Sequence, residues 1–127
     1  MTGKATILVI EDDASIRDHM VRMLGFEGYD VIAASDGGEG VRSTREMLPD
    51  VIVCDLLMPG VNGFGACRVL RDYPTTASIP TIVVSALNAE SDRKQAQELG
   101  VSAYLHKPFR NQELIKLIEL CLKRREA

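Results

Sequence analysis

No apolar run in this chain approaches the roughly 20 residues needed to cross a bilayer, and the start, Met1-Thr2-Gly3-Lys4-Ala5-Thr6, lacks the basic-then-apolar pattern of a signal peptide. Cysteine is scarce: Cys54, Cys67 and Cys121 are odd in number, far apart and in no CxxC or metal-ligand spacing. That excludes a disulfide framework or a zinc module and points to reduced thiols in a cytoplasmic setting. There is no surplus of basic charge either. Lys and Arg total 15 against 18 Asp and Glu, a net charge of −3, so the chain has no reason to coat nucleic acid directly or to cling to an anionic membrane. Linker-like stretches, low-complexity tracts and repeats of fixed period are missing too. At 127 residues, 46% hydrophobic and 26% charged, the composition is that of one globular domain spanning 1–127, with a core from about residue 6 to 122.

What is present is a regular alternation. Apolar runs at Thr6–Ile10, Tyr29–Ala33, Val51–Cys54, Thr81–Val84 and Ala103–Leu105 are short, rich in Val and Ile, and apolar on both faces. They predict strands of a parallel sheet covered on both sides. Amphipathic stretches at about Ala14–Leu24, Gly38–Leu48, Phe64–Asp72, Glu90–Leu99 and Asn111–Arg125 predict helices, with Asn111 as the N-cap of the last. Five strand–helix units in succession need crossover connections, hence helices on both faces of the sheet. Right-handed crossovers give an open, doubly wound α/β sandwich whose site lies beyond the C-terminal ends of the strands.

That rule asks for functional polar residues just after the apolar runs, and they are there. Glu11-Asp12-Asp13 follow the first strand, Asp55 the third, Ser85 the fourth, and His106-Lys107 the fifth. Singly, each has an ordinary explanation: an acid or serine as a helix cap or turn residue, a lysine as a solvated surface group. Asp55 is harder to dismiss, because it closes a buried-looking strand where an ion without a role is expensive. Carboxylates gathered on one rim repel unless a cation sits among them. A hard divalent ion with oxygen ligands, Mg²⁺ first, answers that need, and Lys107 and Ser85 then read as donors to an anion sharing the site.

With these residues in place the sequence resembles the receiver domains of two-component response regulators, bacterial signalling modules. The resemblance runs from Ile7 to about Leu122. It rests on Ile7-Leu8-Val9-Ile10-Glu11-Asp12-Asp13, on Pro49-Asp50-Val51-Ile52-Val53-Cys54-Asp55 with Met58-Pro59 and Gly63, on Ser85-Ala86, and on Tyr104-Leu105-His106-Lys107-Pro108-Phe109. It implies the (βα)5 flavodoxin-like receiver fold with strand order 2-1-3-4-5. It implies that Asp55 is the phosphoacceptor, charged by a sensor histidine kinase, a histidine phosphotransfer protein or a small donor such as acetyl phosphate. Asp12, Asp55 and the backbone carbonyl of Leu57 become Mg²⁺ ligands (Mn²⁺ can substitute), Glu11 holds a metal-bound water, and Asp13 caps the first helix. Lys107, ahead of a proline that is cis in many members, pairs with a phosphoryl oxygen. Ser85 donates to another, and small Ala86 leaves clearance.

The resemblance also implies a switch rather than an enzyme acting on other molecules, one that catalyses only its own phosphorylation and dephosphorylation. Ser85 is drawn to the phosphoryl group, Tyr104 swings from exposed to buried, and the face made by the fourth helix, fifth strand and fifth helix changes shape for an output domain or target protein. A homodimer through that face is one assembly it allows. Several positions depart from the family pattern. Ser85 stands for the commoner threonine but keeps the hydroxyl. Apolar Leu57 and Leu87 flank the path of an attacking water, which predicts a long-lived phosphoryl group. Ser102-Ala103 replace the paired aspartates of a salt-bridged dimer face. The last helix carries Leu114, Ile115, Leu117, Ile118, Cys121 and Leu122, a wide apolar surface that two-sided burial explains, or a docking patch near Ile115 and Leu122. The main competing reading is a flavodoxin-like FMN electron carrier of the same architecture, opposed by Glu11-Asp12-Asp13 where a phosphate-binding loop belongs.

Overall fold

β-branched residues dominate the first, third and fourth apolar runs, interrupted by Leu8 in the first and Cys54 in the third, and each run forms a strand with side chains buried on both faces. In the computed structural model, which describes residues 5–56, 63–87 and 89–126, the elements are β1 (Thr6–Ile10), α1 (Ala14–Phe26), β2 (Asp30–Ala34), α2 (Gly37–Met47), β3 (Val51–Asp55), α3 (Gly63–Asp72), β4 (Thr81–Ser85), α4 (Glu90–Glu98), β5 (Ala103–His106) and α5 (Asn111–Glu126). All strand pairs are parallel, in the order β2-β1-β3-β4-β5. The order reverses direction at β1, so the crevice between β1 and β3 is the switch point where such sheets place their sites.

Two cores flank the sheet. Ile7, Val9, Val51, Val53, Ile82 and Val84 meet Met20, Leu24, Leu114 and Ile118 on one face. Leu8, Ile10, Ile52 and Cys54 meet Val41, Ala66 and Leu70 on the other. Each fully buried aliphatic side chain contributes about 1.5–3 kcal/mol. The expectation of two-sided burial holds for β1, β3 and β4 but not at the edges, where β2 and β5 are only partly covered.

The boundaries differ from the sequence pattern for local reasons. β2 starts at Asp30 rather than Tyr29, because the Tyr29 N–H still donates to Leu24 O in the turn that ends α1, through Gly28 at φ 95°. α2 stops before Leu48, which is left-handed at φ 47° and donates its N–H to Thr44 O. The last helix is closed without Asn111 as cap. The Glu113 carboxylate accepts from the Arg110 N–H at 2.9 Å, while the Asn111 side chain meets His19 of α1 at 3.2 Å. α5 buries Leu114, Ile118 and Cys121, with Ile115, Leu117 and Leu122 packed partly against the same core. Its apolar surface is therefore largely core-facing, with Ile115 and Leu122 half-buried at its margin. β3, β4 and β5 each run one residue further than expected, ending on Asp55, Ser85 and His106. Polar residues thus terminate strands inside the ladder, where their backbones are fixed.

Candidate functional site

Register alone assembles the rim. Ile10 pairs with Cys54, so Glu11 stands level with Asp55; Asp55 pairs with Val84, and Ser85 with His106. Lys107 follows at the end of β5, its N–H donating to Ser85 O at 2.8 Å, and the Lys107-Pro108 peptide is cis. The Lys107 ammonium donates to Glu11 Oε1 at 2.9 Å and to Asp55 Oδ2 at 3.0 Å. Glu11 and Asp55 are buried and Asp12 exposed, yet one carboxylate oxygen from each lies within 4.8 Å of the others.

The electrostatics follow from burial. Desolvation pushes the Glu11 carboxyl above its ordinary range, and the hydrogen bonds from Lys107 and the Asp13 N–H only partly offset it. Burial works against the Lys107 charge, but its bonds to Glu11 and Asp55 outweigh that and raise it, so the ammonium stays protonated. Three carboxylates against one ammonium leave two negative charges in excess. All-oxygen donors with a surplus of negative charge suit a hard divalent cation, and the exposed Asp12 leaves it a way in.

The other expected residues fall as follows. Asp13 caps α1, accepting from the Ile16 N–H at 3.0 Å, and is not part of the acidic cluster. Ser85 is fully buried, and its hydroxyl oxygen accepts from the Leu87 N–H at 3.1 Å. Ala86 is exposed beside the site, its carbonyl oxygen 3.1 Å from the His106 Nε2 atom. Tyr104 is half-buried, its phenol donating to Leu87 O at 2.6 Å. Leu57 and Met58-Pro59 lie outside the described residues.

One contributor escaped the sequence reading. Arg17 of α1 reaches back to donate to the Glu11 carbonyl at 2.9 Å and the Asp12 carbonyl at 3.4 Å, bracing the acidic turn. The only sequence signal is a long cation one turn into the helix after the acids. Gly63, one of the family landmarks in the sequence, has a steric reason to be glycine. A Cβ there would land on Asp55 O and Leu56 Cα, both backbone atoms that cannot step aside. Gly63→Ala is expected to destabilise the fold by about 1–3 kcal/mol through overpacking, read as a lower urea midpoint. The control, Gly25→Ala, has open space around its Cβ and is expected to leave the midpoint unchanged or raise it.

Comparison with known proteins agrees with this geometry. Residues 7–119 match the family described as the response regulator receiver domain. The chain is 41% identical over 121 residues to a protein named "Probable transcriptional regulator ycf27" from Porphyridium aerugineum, covering 95% of this chain and 49% of that one. It is 34% identical over 125 residues to the DNA-binding response regulator MtrA of Mycobacterium bovis, covering 98% of this chain and 54% of MtrA. The chain thus spans about half the length of these relatives. Among solved structures, it is similar to the receiver domain of sensor histidine kinase PA1611 from Pseudomonas aeruginosa, with a TM-score of 0.88, 29% identity, and 95% and 99% of the two chains covered. In that structure a magnesium ion is coordinated in the active site cleft.

Proposed function

This chain belongs to the response regulator receiver family of two-component systems, and from that premise we propose that its Asp55 carboxylate accepts a phosphoryl group. The observation that carries the reading is the buried Asp55 at the end of β3, 3.0 Å from the Lys107 ammonium and grouped with Glu11 and Asp12. The carboxylate oxygen attacks phosphorus as the bond to a phosphohistidine nitrogen, or to the acetate oxygen of acetyl phosphate, breaks. Phosphoryl transfer depends on positioning and charge neutralisation. Lys107 meets one phosphoryl oxygen, the Ser85 hydroxyl turns to donate to another, and Ala86 adds no side-chain bulk.

Asp12, Asp55 and the Leu57 carbonyl are the residues to hold Mg²⁺, with Glu11 beside them; when bound, the ion supplies positive charge to the carboxylates and the incoming phosphoryl oxygens. Ser85 and Tyr104 then convert occupancy into a new shape of the α4–β5–α5 face. An output segment on a longer chain or a separate target reads it, and the DNA-binding names of relatives twice as long favour the first. The donor is a cytoplasmic histidine kinase or phosphotransfer protein. With Leu57 and Leu87 offering water no polar side chain, the phosphoryl group is lost slowly.

Incubation with acetyl phosphate, followed by intact mass, tests the reading. One phosphoryl adduct is expected with Mg²⁺ or Mn²⁺ and almost none with EDTA. No adduct with metal, or equal adduct without it, counts against the site.

A further inference from the structure

The Tyr104 ring packs partly buried against Leu56, Cys67, Val83 and Leu99. Its phenol donates to the carbonyl of Leu87, whose own N–H donates to the Ser85 hydroxyl oxygen. A single residue's main chain therefore couples the buried Ser85 hydroxyl to the half-buried ring. Over that ring lies Arg93 of α4, its guanidinium carbon 4.7 Å from the ring centroid. α4 otherwise holds the sheet lightly. Ala96 is its buried residue, and Ala89 at its N-cap provides no side-chain hydrogen bond. A cation over an aromatic face is attracted by the ring quadrupole, so Arg93 ties the helix and the ring together.

We propose that Arg93 is a positioning residue for the switch: its guanidinium holds Tyr104 in the docked arrangement before any phosphoryl group arrives. The resting domain then leans toward the state that phosphorylation completes. The clamp itself is independent of the Asp55 reading; only its effect on phosphorylation rests on it. Arg93 is exposed, and at exposed sites such a contact shifts a two-state equilibrium about two- to fivefold.

The test labels the protein with 3-fluorotyrosine and follows its fluorine resonances, Tyr104 being identified by the signal that Tyr104→Phe removes. Without phosphodonor, Arg93→Leu is expected to move the Tyr104 resonance toward that of an exposed tyrosine, with docked-to-undocked ratio down about two- to fivefold. Arg93→Lys, which keeps the charge, is expected to fall between. With acetyl phosphate and Mg²⁺, both variants are expected to converge on the wild-type docked position. An identical Tyr104 resonance in wild type, Arg93→Leu and Arg93→Lys overturns the clamp. A shift that appears without phosphodonor but never responds to it upholds the clamp and strikes the Asp55 reading instead.

Discussion

Asp55→Asn is expected to give a protein that folds, binds the divalent ion weakly and takes no phosphoryl group from acetyl phosphate. The amide oxygen is no nucleophile, so the loss of adduct is complete rather than partial, and intact mass reads it directly. Folding survives because Lys107 keeps its bond to Glu11 at 2.9 Å, while one of three crowded carboxylates loses its charge. Removing a like charge from that cluster relieves repulsion, so the metal-free variant is expected to match or exceed wild-type stability within about 1 kcal/mol. The excess negative charge falls from two to one, which weakens cation binding. A persistent adduct in Asp55→Asn would move the phosphoacceptor elsewhere.

Lys107→Ala acts in the opposite sense on stability and in the same sense on chemistry. It strands Glu11 and Asp55, both buried, without their cation. Breaking a buried pair from one side costs about 3–5 kcal/mol, and the partial exposure of Lys107 lets water enter, so about 2–4 kcal/mol is expected here. On the proposed reading, loss of one preorganised positive donor is expected to lower the phosphorylation rate by about 10²–10³.

The pH dependence of the metal-free protein carries a sign that checks the same cluster. Glu11 has a folded-state value above its ordinary 4.5, set first by burial. The folded state therefore holds that proton more tightly than the unfolded one, and stability falls as pH rises through the window above 4.5. Lys107 sits above its ordinary 10.5; its contribution is full below that value and is lost only as pH climbs past the folded value. Lys107→Ala removes the second contribution and widens the Glu11 window. In EDTA its urea midpoint is expected to drop more steeply than wild type between mildly acidic and neutral pH, and Mg²⁺ should restore part of the loss by mass action. Parallel pH profiles for the two proteins would count against a lysine that neutralises this site.

The strands were legible because Val and Ile patterns on a doubly covered sheet admit little else, and the site because strand ends in such sheets are where polar groups gather. Glu11, Asp55, Ser85 and Lys107 follow from where apolar runs stop. The edges were harder to read: Tyr29 belongs by composition to β2, yet a backbone bond keeps it in the preceding turn. The cap of α5 was misplaced because Asn111 has the right chemistry, while the Glu113 side chain closes that terminus through Arg110. Arg17 left only a faint sequence signal and Arg93 none, since where a guanidinium lands depends on helix phase and loop path.

Lys107 lies 96 positions from Glu11 and 52 from Asp55. During synthesis the acids emerge well before their cation, and closing such spans carries an entropy cost that grows slowly with length. Until β5 docks on β4 at the sheet's edge, two carboxylates lack the partner that makes their burial tolerable. A chain stopped short of that strand holds Glu11 and Asp55 without the ammonium that completes the cluster. On the proposed reading, phosphorylation is expected only of molecules whose sheet is finished.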